Sequence, residues 1–240
     1  MNTKFIVLVL AVFLMLCSVG ALDAKENSYP ANQVKRPLLI PMGMWEISPG
    51  FVYIQKGQNS DNHILPTLDL RYGINDNMEF LYPLGIRVRL PNGFGSLETA
   101  ARGVVGGVGY SSSAGMMFMA EAGIEGKHRV NDKFAVELDG ELRHWYTDRV
   151  NGNSGLKLSV GGLYGLNDLQ AVSVTGSFVK LWGFDDDDGL VGAVAFYYGL
   201  DARTEIVGEI AFSNFSQNRS ELYPYADFMD TYKITVNWRF

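Results

Sequence analysis

The stretch TYKITVNWRF, Thr231 to Phe240, alternates apolar and polar side chains without a break. Tyr232, Ile234, Val236, Trp238 and Phe240 fall on one side; Lys233, Thr235, Asn237 and Arg239 fall on the other. A two-residue period marks a β-strand with one apolar face. The reading of the whole chain turns on which way that face points. Packed inward it belongs to a soluble sandwich; turned outward it belongs to a barrel in lipid.

The same alternation recurs upstream. In MEFLYPLGIRVRL (Met78 to Leu90) the apolar side runs Met78, Phe80, Tyr82, Leu84, Ile86, Val88, against Glu79, Arg87 and Arg89. In FAVELDGELRHWY (Phe134 to Tyr146), Phe134, Val136, Leu138 and Leu142 oppose Glu137, Asp139, Glu141 and Arg143. In GLKLSVGGLY, Leu156, Leu158, Val160 and Tyr164 oppose Lys157 and Ser159. A first strand is expected in MWEISPGFVYI, with Trp45, Ile47, Phe51 and Tyr53 facing outward.

Short Asn/Asp-centred turns join these segments. RYGINDNMEF, HRVNDKFAV, YGLNDLQAV and YGLDARTEI are variants of one theme. Asn and Asp tolerate left-handed backbone and bond their own main chain, as tight hairpins require. The intervening connections near Gln58, Asn151 and Asp186, and from Ser213 to Asp230, are longer and more polar. Short turns at one end and longer loops at the other describe an all-β, antiparallel, up-and-down transmembrane barrel. The turn spacing predicts about ten strands, with Pro91 to Ser113 as one long outside loop. Twelve is the alternative, if that region contains a hairpin.

Three features favour lipid over a soluble core. Aromatic residues such as Trp45, Tyr53, Tyr72, Tyr82, Tyr146, Tyr164, Tyr198 and Trp238 sit at strand ends, as in interfacial girdles. The polar faces carry both signs of charge, Glu46, Glu125, Glu205, Glu209 and Lys127 among them, together with Asp69, Glu79, Glu121, Glu137, Asp139 and Glu141 against Arg71, Arg87, Arg89, Arg143, Lys157, Lys233 and Arg239. The last two sets are the candidate lumen-lining charges, expected to pair across a narrow bore because an isolated charge there is costly. Third, the N-terminus MNTKFIVLVLAVFLMLCSVGALDA has a cationic start, an apolar run and small residues, the anatomy of a secretory signal peptide. Cleavage is expected after Ala21 or Ala24, leaving residues 25–42 as a periplasmic segment and 43–240 as the barrel. A retained anchor is the competing reading. The one cysteine, Cys17, lies in the leader, so the mature chain has neither disulfide nor thiol nucleophile.

Composition closes other routes. A net charge of −6 argues against a nucleic-acid partner. Beyond the leader no apolar run approaches the ~20 residues of a spanning helix.

YKITVNWRF resembles the C-terminal signal of bacterial outer-membrane barrels, with alternate apolar residues and a terminal aromatic. The resemblance implies that Tyr232, Ile234, Val236, Trp238 and Phe240 are read by the barrel-insertion machinery, and that the last strand closes against the first. It places the chain in the outer membrane of a Gram-negative bacterium, beside lipid and lipopolysaccharide. RPLLIPMGMWEIS and LDLRYGINDNMEF are similar to segments of outer-membrane barrels labelled as phenol-degradation (meta-pathway) or transport proteins; that label implies little chemistry.

No motif points to catalysis, a cofactor or a metal. The histidines are His63, His128 and His144. His144, Asp148 and Ser154 are the least implausible Ser-His-acid trio, against the plainer reading of an interfacial imidazole beside a loop. Asp185 to Asp188 is a contiguous acidic run without the spacing of a calcium loop, and reads as a solvated loop tip. GVVGGVG (Gly103 to Gly109) lacks the Lys-Ser/Thr of a phosphate cradle. Three functions remain: a narrow passive channel for small solutes; a structural or surface-interaction barrel; and a membrane-embedded lipid hydrolase or acyltransferase.

Overall fold

In a computed structural model the chain forms twelve antiparallel strands closed into a barrel. The structure describes residues 29–54, 63–91, 97–111, 115–147, 153–182, 187–213 and 230–240. The expected leader lies outside these residues, as do Asp148, the centres of the loops near Gln58, Asn151 and Asp186, and most of Ser213 to Asp230.

The strands are β1 (Trp45–Ile54), β2 (His63–Asn75), β3 (Met78–Leu81), β4 (Leu84–Arg89), β5 (Leu97–Ser111) and β6 (Gly115–Asn131). They continue as β7 (Phe134–Thr147), β8 (Asn153–Gly165), β9 (Gln170–Trp182), β10 (Asp187–Gly199), β11 (Thr204–Ser213) and β12 (Thr231–Arg239). Each pairs with its neighbours in sequence, and β12 closes on β1 with Glu46 opposite Arg239 and Phe51 opposite Ile234. Closure leaves neither terminal strand with an open edge.

The recurring turns all lie at one end of the barrel, and each uses the same device. Asn75 Oδ1 accepts from the Asn77 amide at 2.9 Å, and Asn131 Oδ1 from Lys133 at 2.8 Å. Asn167 Oδ1 accepts from Leu169 and Gln170, and Asp201 Oδ1 from Arg203 and Thr204. These Asx contacts reverse the chain within a few residues. We call this the turn end, and the opposite one the loop end.

The strand number is twelve, the higher of the two values expected, but the additional hairpin is not where the sequence suggested. Within Pro91 to Ser113 the described residues Leu97–Ser111 form neither a loop nor a hairpin but the single strand β5. The run from Met78 to Leu90 is instead divided by a turn at Tyr82–Pro83 into the short strands β3 and β4. Both halves keep the two-residue phase, with Leu84 and Ile86 exposed outward and Glu79 buried inward, so alternation alone could not reveal the break.

This short hairpin leaves the wall low on one side. β3 meets β2 only from Arg71 to Asn75, and β4 meets β5 only from Ala100 to Val105. Among the described residues no pairing joins the remainder of β2 to that of β5. Gly106, at φ +149°, lies against Pro83 so closely that a Cβ would come within 2.0 Å of its ring. The hairpin tip is seated there.

The chain before β1 does not hang away from the barrel. Residues 29–44 enter it at the turn end, around a 3-10 turn at Gln33–Lys35 capped by the Asn32 side chain. Val34, Leu39 and Ile40 are almost wholly buried, and Val34 packs on Ala135, Leu163 and Ala171.

Candidate functional site

The interior of the barrel holds an arc of ion pairs, a set of small polar residues opposite it, and the inserted segment across the turn end. The arc begins at Arg36 of the inserted segment and alternates sign strand by strand from β11, through the β12–β1 closure, to β4. Arg36 Nη1 meets Glu205 at 2.8 Å; Arg239 bridges Glu205 at 3.4 Å and Glu46 at 2.5 Å. Arg71 joins Glu46 (3.1 Å) to Glu79 (3.0 Å), and Arg87 joins Glu79 to Glu125 (3.0 Å). Arg102 then bonds Glu125, Glu121, Asp139 and Glu141, and Arg143 takes the far sides of Glu121 and Glu141.

Register explains the alternation. Glu46 stands directly opposite Arg239 on one side and Arg71 on the other; Glu79 faces Arg87, and Glu121 faces Arg143. Two cross-strand pairs have like charge, Arg87 with Arg102 and Glu125 with Asp139. Such pairs repel unless a counter-charge lies between them. Glu125 sits between the two arginines, and Arg102 between the two carboxylates, so each conflict is resolved by the other. The ion pairs therefore run mainly around the wall, between neighbouring strands, rather than across the bore as the sequence reading expected.

The wall also holds the inserted segment through its main chain. Glu98 accepts from the Leu38 amide at 3.1 Å and Glu79 from the Ile40 amide at 2.9 Å. Arg71 donates to the Leu38 carbonyl at 3.2 Å, and Lys127 to the Gln33 carbonyl at 2.9 Å. The Gly43 amide donates to the Gly73 carbonyl at 2.7 Å, and the Gly73 amide to the Met44 carbonyl at 2.9 Å. A Cβ at Gly73 would lie 2.0 Å from the Pro41 carbonyl oxygen, so only glycine permits this approach. Tyr29 lies between two guanidinium groups, Arg36 at 5.5 Å and Arg239 at 5.6 Å from its ring centre. Burial raises the Tyr29 phenol above its ordinary range, against the opposing pull of Arg239. Burial likewise pushes the Arg36 guanidinium down, aided by Arg239 and opposed by Glu205.

Above the segment is empty space. A cavity of about 990 Å³ reaches from Glu46, Arg71 and Arg87 toward Arg143. A second, of about 640 Å³, lies along Lys157, Ser159, Thr175 and Ser177. Asp69, Glu209 and Lys233 border both. Toward the loop end Trp145, Val179, Leu181, Val191 and Ala211 form a buried apolar cluster on inward positions. The larger cavity also touches Leu68, Leu70, Tyr82 and Pro83, residues of the low wall above the β3–β4 hairpin.

The sequence candidates sort into two groups by this geometry. Glu79, Glu141 and Arg239 are buried within the ion-pair arc, and Arg71, Arg87, Glu121 and Arg143 belong to the arc while bordering the larger cavity. Glu137, Asp139, Lys157, Asp69 and Lys233 border the smaller one. Arg89, at the turn-end edge of β4, touches neither cavity. The sequence reading missed Arg36, which lies in the inserted segment, and Arg102, although Arg102 stands on an inward position of β5; Glu46, Glu125 and Glu205, which it set on the polar faces, belong to the arc. It had no signal for the inserted segment, whose anchors are main-chain amides and carbonyls.

Of the catalytic trio, His144 Nδ1 and Ser154 Oγ are 2.7 Å apart on the outward face at the loop end. Asp148 lies outside the described residues, and among those described no carboxylate hydrogen-bonds His144 to orient it as a base. Among the described residues no group of histidines and acids is gathered to hold a metal ion.

No family model matches the chain, and no curated protein does. Solved structures match its shape. An outer membrane channel from Pseudomonas putida F1 superposes with a TM-score of 0.58 at 8% identity, over 90% of this chain and 99% of that one. KdgM porin, solved in complex with disordered oligogalacturonate, superposes with a TM-score of 0.50 at 10% identity, over 80% of this chain and 99% of its own. At such identities the likeness is one of fold, and that fold is the closed β-barrel of outer-membrane channels and porins.

Proposed function

We propose that this protein is a passive outer-membrane channel for small solutes, with residues 29–44 as a stopper at its periplasmic mouth. The observation that carries this is the cavity of about 990 Å³ inside a closed barrel, shut at the turn end by a segment bonded to the wall. Membrane placement is supported by the outward face: Ile124 is 60% exposed, Val174 59%, Leu190 60% and Ile234 62%. A water-soluble surface does not carry so wide an apolar band. In that setting the turn end faces the periplasm and the loop end the exterior. Planar-bilayer recording tests the reading. Discrete conductance steps are expected, small in the intact protein and larger once the stopper is loosened; silence in both states, across salts and voltages, leaves a structural barrel instead.

A second route has its own observation. The larger cavity reaches Leu68, Leu70, Tyr82 and Pro83, where the wall between β2 and β5 is low, so an apolar solute has a sideways path from interior to lipid. Leu68→Asp with Tyr82→Asp places charge on that path. If solutes use it, transfer of an apolar dye from the interior into the bilayer slows severalfold while ion conductance stays unchanged; unaltered dye transfer removes the route.

A further inference from the structure

The outward face is apolar nearly everywhere, and its one departure is localised. Among the described residues, the charged side chains at outward strand positions are Lys180 and Asp188, opposite one another on β9 and β10 at the loop end. Beside them His144, Ser154 and Trp182 lie in register across β7, β8 and β9. Tyr146 packs edge-on against the His144 ring at 4.3 Å. With Nδ1 engaged by Ser154, His144 keeps Nε2 for another partner. Among the described residues Lys180 has neither an ion pair nor a hydrogen bond, and Trp182 contributes an indole N–H to the same strip. Neighbouring strands are about 4.8 Å apart, so these donors span roughly 10 Å of wall. Leu156 lies level with Lys180 on β8, and below that row the face is apolar through Leu158 and Phe178.

We propose that this strip binds the phosphorylated headgroup of an outer-leaflet glycolipid of the lipid A type, its acyl chains lying on the apolar wall beneath. A half-buried, unpaired ammonium beside aromatic and imidazole donors is chemically matched to a phosphate held at the top of a hydrocarbon layer. Asp188 bounds the strip on the β10 side, leaving the phosphate the Lys180 ammonium and the His144 Nε2–H, with the Ser154 hydroxyl donating to Nδ1 to fix that tautomer. The inference is independent of transport.

Native mass spectrometry of the protein extracted from its own membrane in mild detergent tests it. The wild type should retain about one glycolipid per barrel, and Lys180→Met should reduce that retention about tenfold, the effect of losing one charge-assisted contact. Heat-modifiable migration establishes that the variant is folded. As a second measurement, purified lipid A should raise the thermal unfolding midpoint of the wild type, whereas fully dephosphorylated lipid A should not. Equal retention by K180M, equal stabilisation by the dephosphorylated lipid, or retention of phospholipid in place of glycolipid would each overturn the proposal.

Discussion

Replacing Glu205 by alanine tests whether the ion-pair arc holds the stopper in place. Its side chain and that of Arg36 are 2% and 5% exposed, so the pair is effectively buried. Glu205 serves two cations and also accepts from Asn237 at 2.9 Å. Without it, Arg239 still has Glu46 at 2.5 Å, whereas Arg36 is left with the carbonyls of Pro30 and Ala31, both in its own segment. Removing one partner of a buried pair costs about 3–5 kcal/mol, chiefly from the charge left behind. The wall cannot relieve that cost, because β11 is paired on both sides. The segment can, by withdrawing Arg36 into water. The closed-to-open equilibrium should therefore move by at least about a hundredfold, at ~1.4 kcal/mol per factor of ten. Single-channel recording would show this as a rise in open probability, with the unfolding midpoint of the barrel little changed. Adding Arg36→Ala to Glu205→Ala should recover part of the closed state, since the stranded cation is gone. Unchanged gating with a destabilised barrel, or strict additivity in the double variant, would refute the reasoning.

Other perturbations act on separate parts of the site. Gly73→Val drives a side chain into the Pro41 carbonyl, 2.0 Å from its first carbon, and should raise conductance as Glu205→Ala does without altering any charge. Ser159→Trp, on the smaller cavity, should lower single-channel conductance severalfold with the unfolding transition intact. Arg102→Leu takes the cation from Asp139 and leaves Glu121, Glu125 and Glu141 with one arginine each instead of two, and should lower stability in denaturant titration from lipid vesicles by about 3–5 kcal/mol.

Much of the barrel is legible in the chain because a wall with an apolar outer face and a polar inner one imposes a two-residue period on nearly every strand. Tyr232 and Ile234 point outward and Thr235 and Arg239 inward, as the alternation of the last strand requires. The Asn/Asp turns are equally plain, since Asn75, Asn131, Asn167 and Asp201 each bond the backbone locally. What the period conceals is a reversal that preserves it. Tyr82 and Pro83 occupy two positions between β3 and β4, so outward residues stay even-numbered on both sides of the turn. Gly103 to Gly106 misled in the opposite sense: the turn spacing put them in a long loop, yet they belong to β5, where Gly106 admits Pro83 and the hairpin tip. The inserted segment was invisible for a different reason. RPLLIP has no period, and its fit depends on Glu79 and Glu98 reaching amides some forty to sixty positions away.

The stopper and the ion-pair arc have one energetic rationale. Buried ion pairs are weak contributors to stability, because desolvating the charges offsets most of their attraction; apolar residues of similar volume usually do as well. An arc of paired arginines and glutamates is thus a poor way merely to fill a barrel. It is well suited to holding a length of chain without regular structure. The Leu38 and Ile40 amides and the Gln33 and Leu38 carbonyls have no strand partner, and buried backbone groups need one. Glu98, Glu79, Lys127 and Arg71 provide it, at 3.1, 2.9, 2.9 and 3.2 Å. Each of these wall charges satisfies the segment's backbone while its remaining valences stay within reach of neighbours on the wall, so the segment can leave without stranding Glu79 or Arg71. Glu205 and Arg36 are the exception, a buried charge pair shared outright by wall and segment; the other such pair, Lys35 with Asp132 at 3.6 Å, is exposed to solvent and holds little. Opening should accordingly be limited by the buried contact, and a segment carrying Arg36→Gln should gate more readily than one carrying a substitution at Leu38 or Ile40 that keeps the main chain intact.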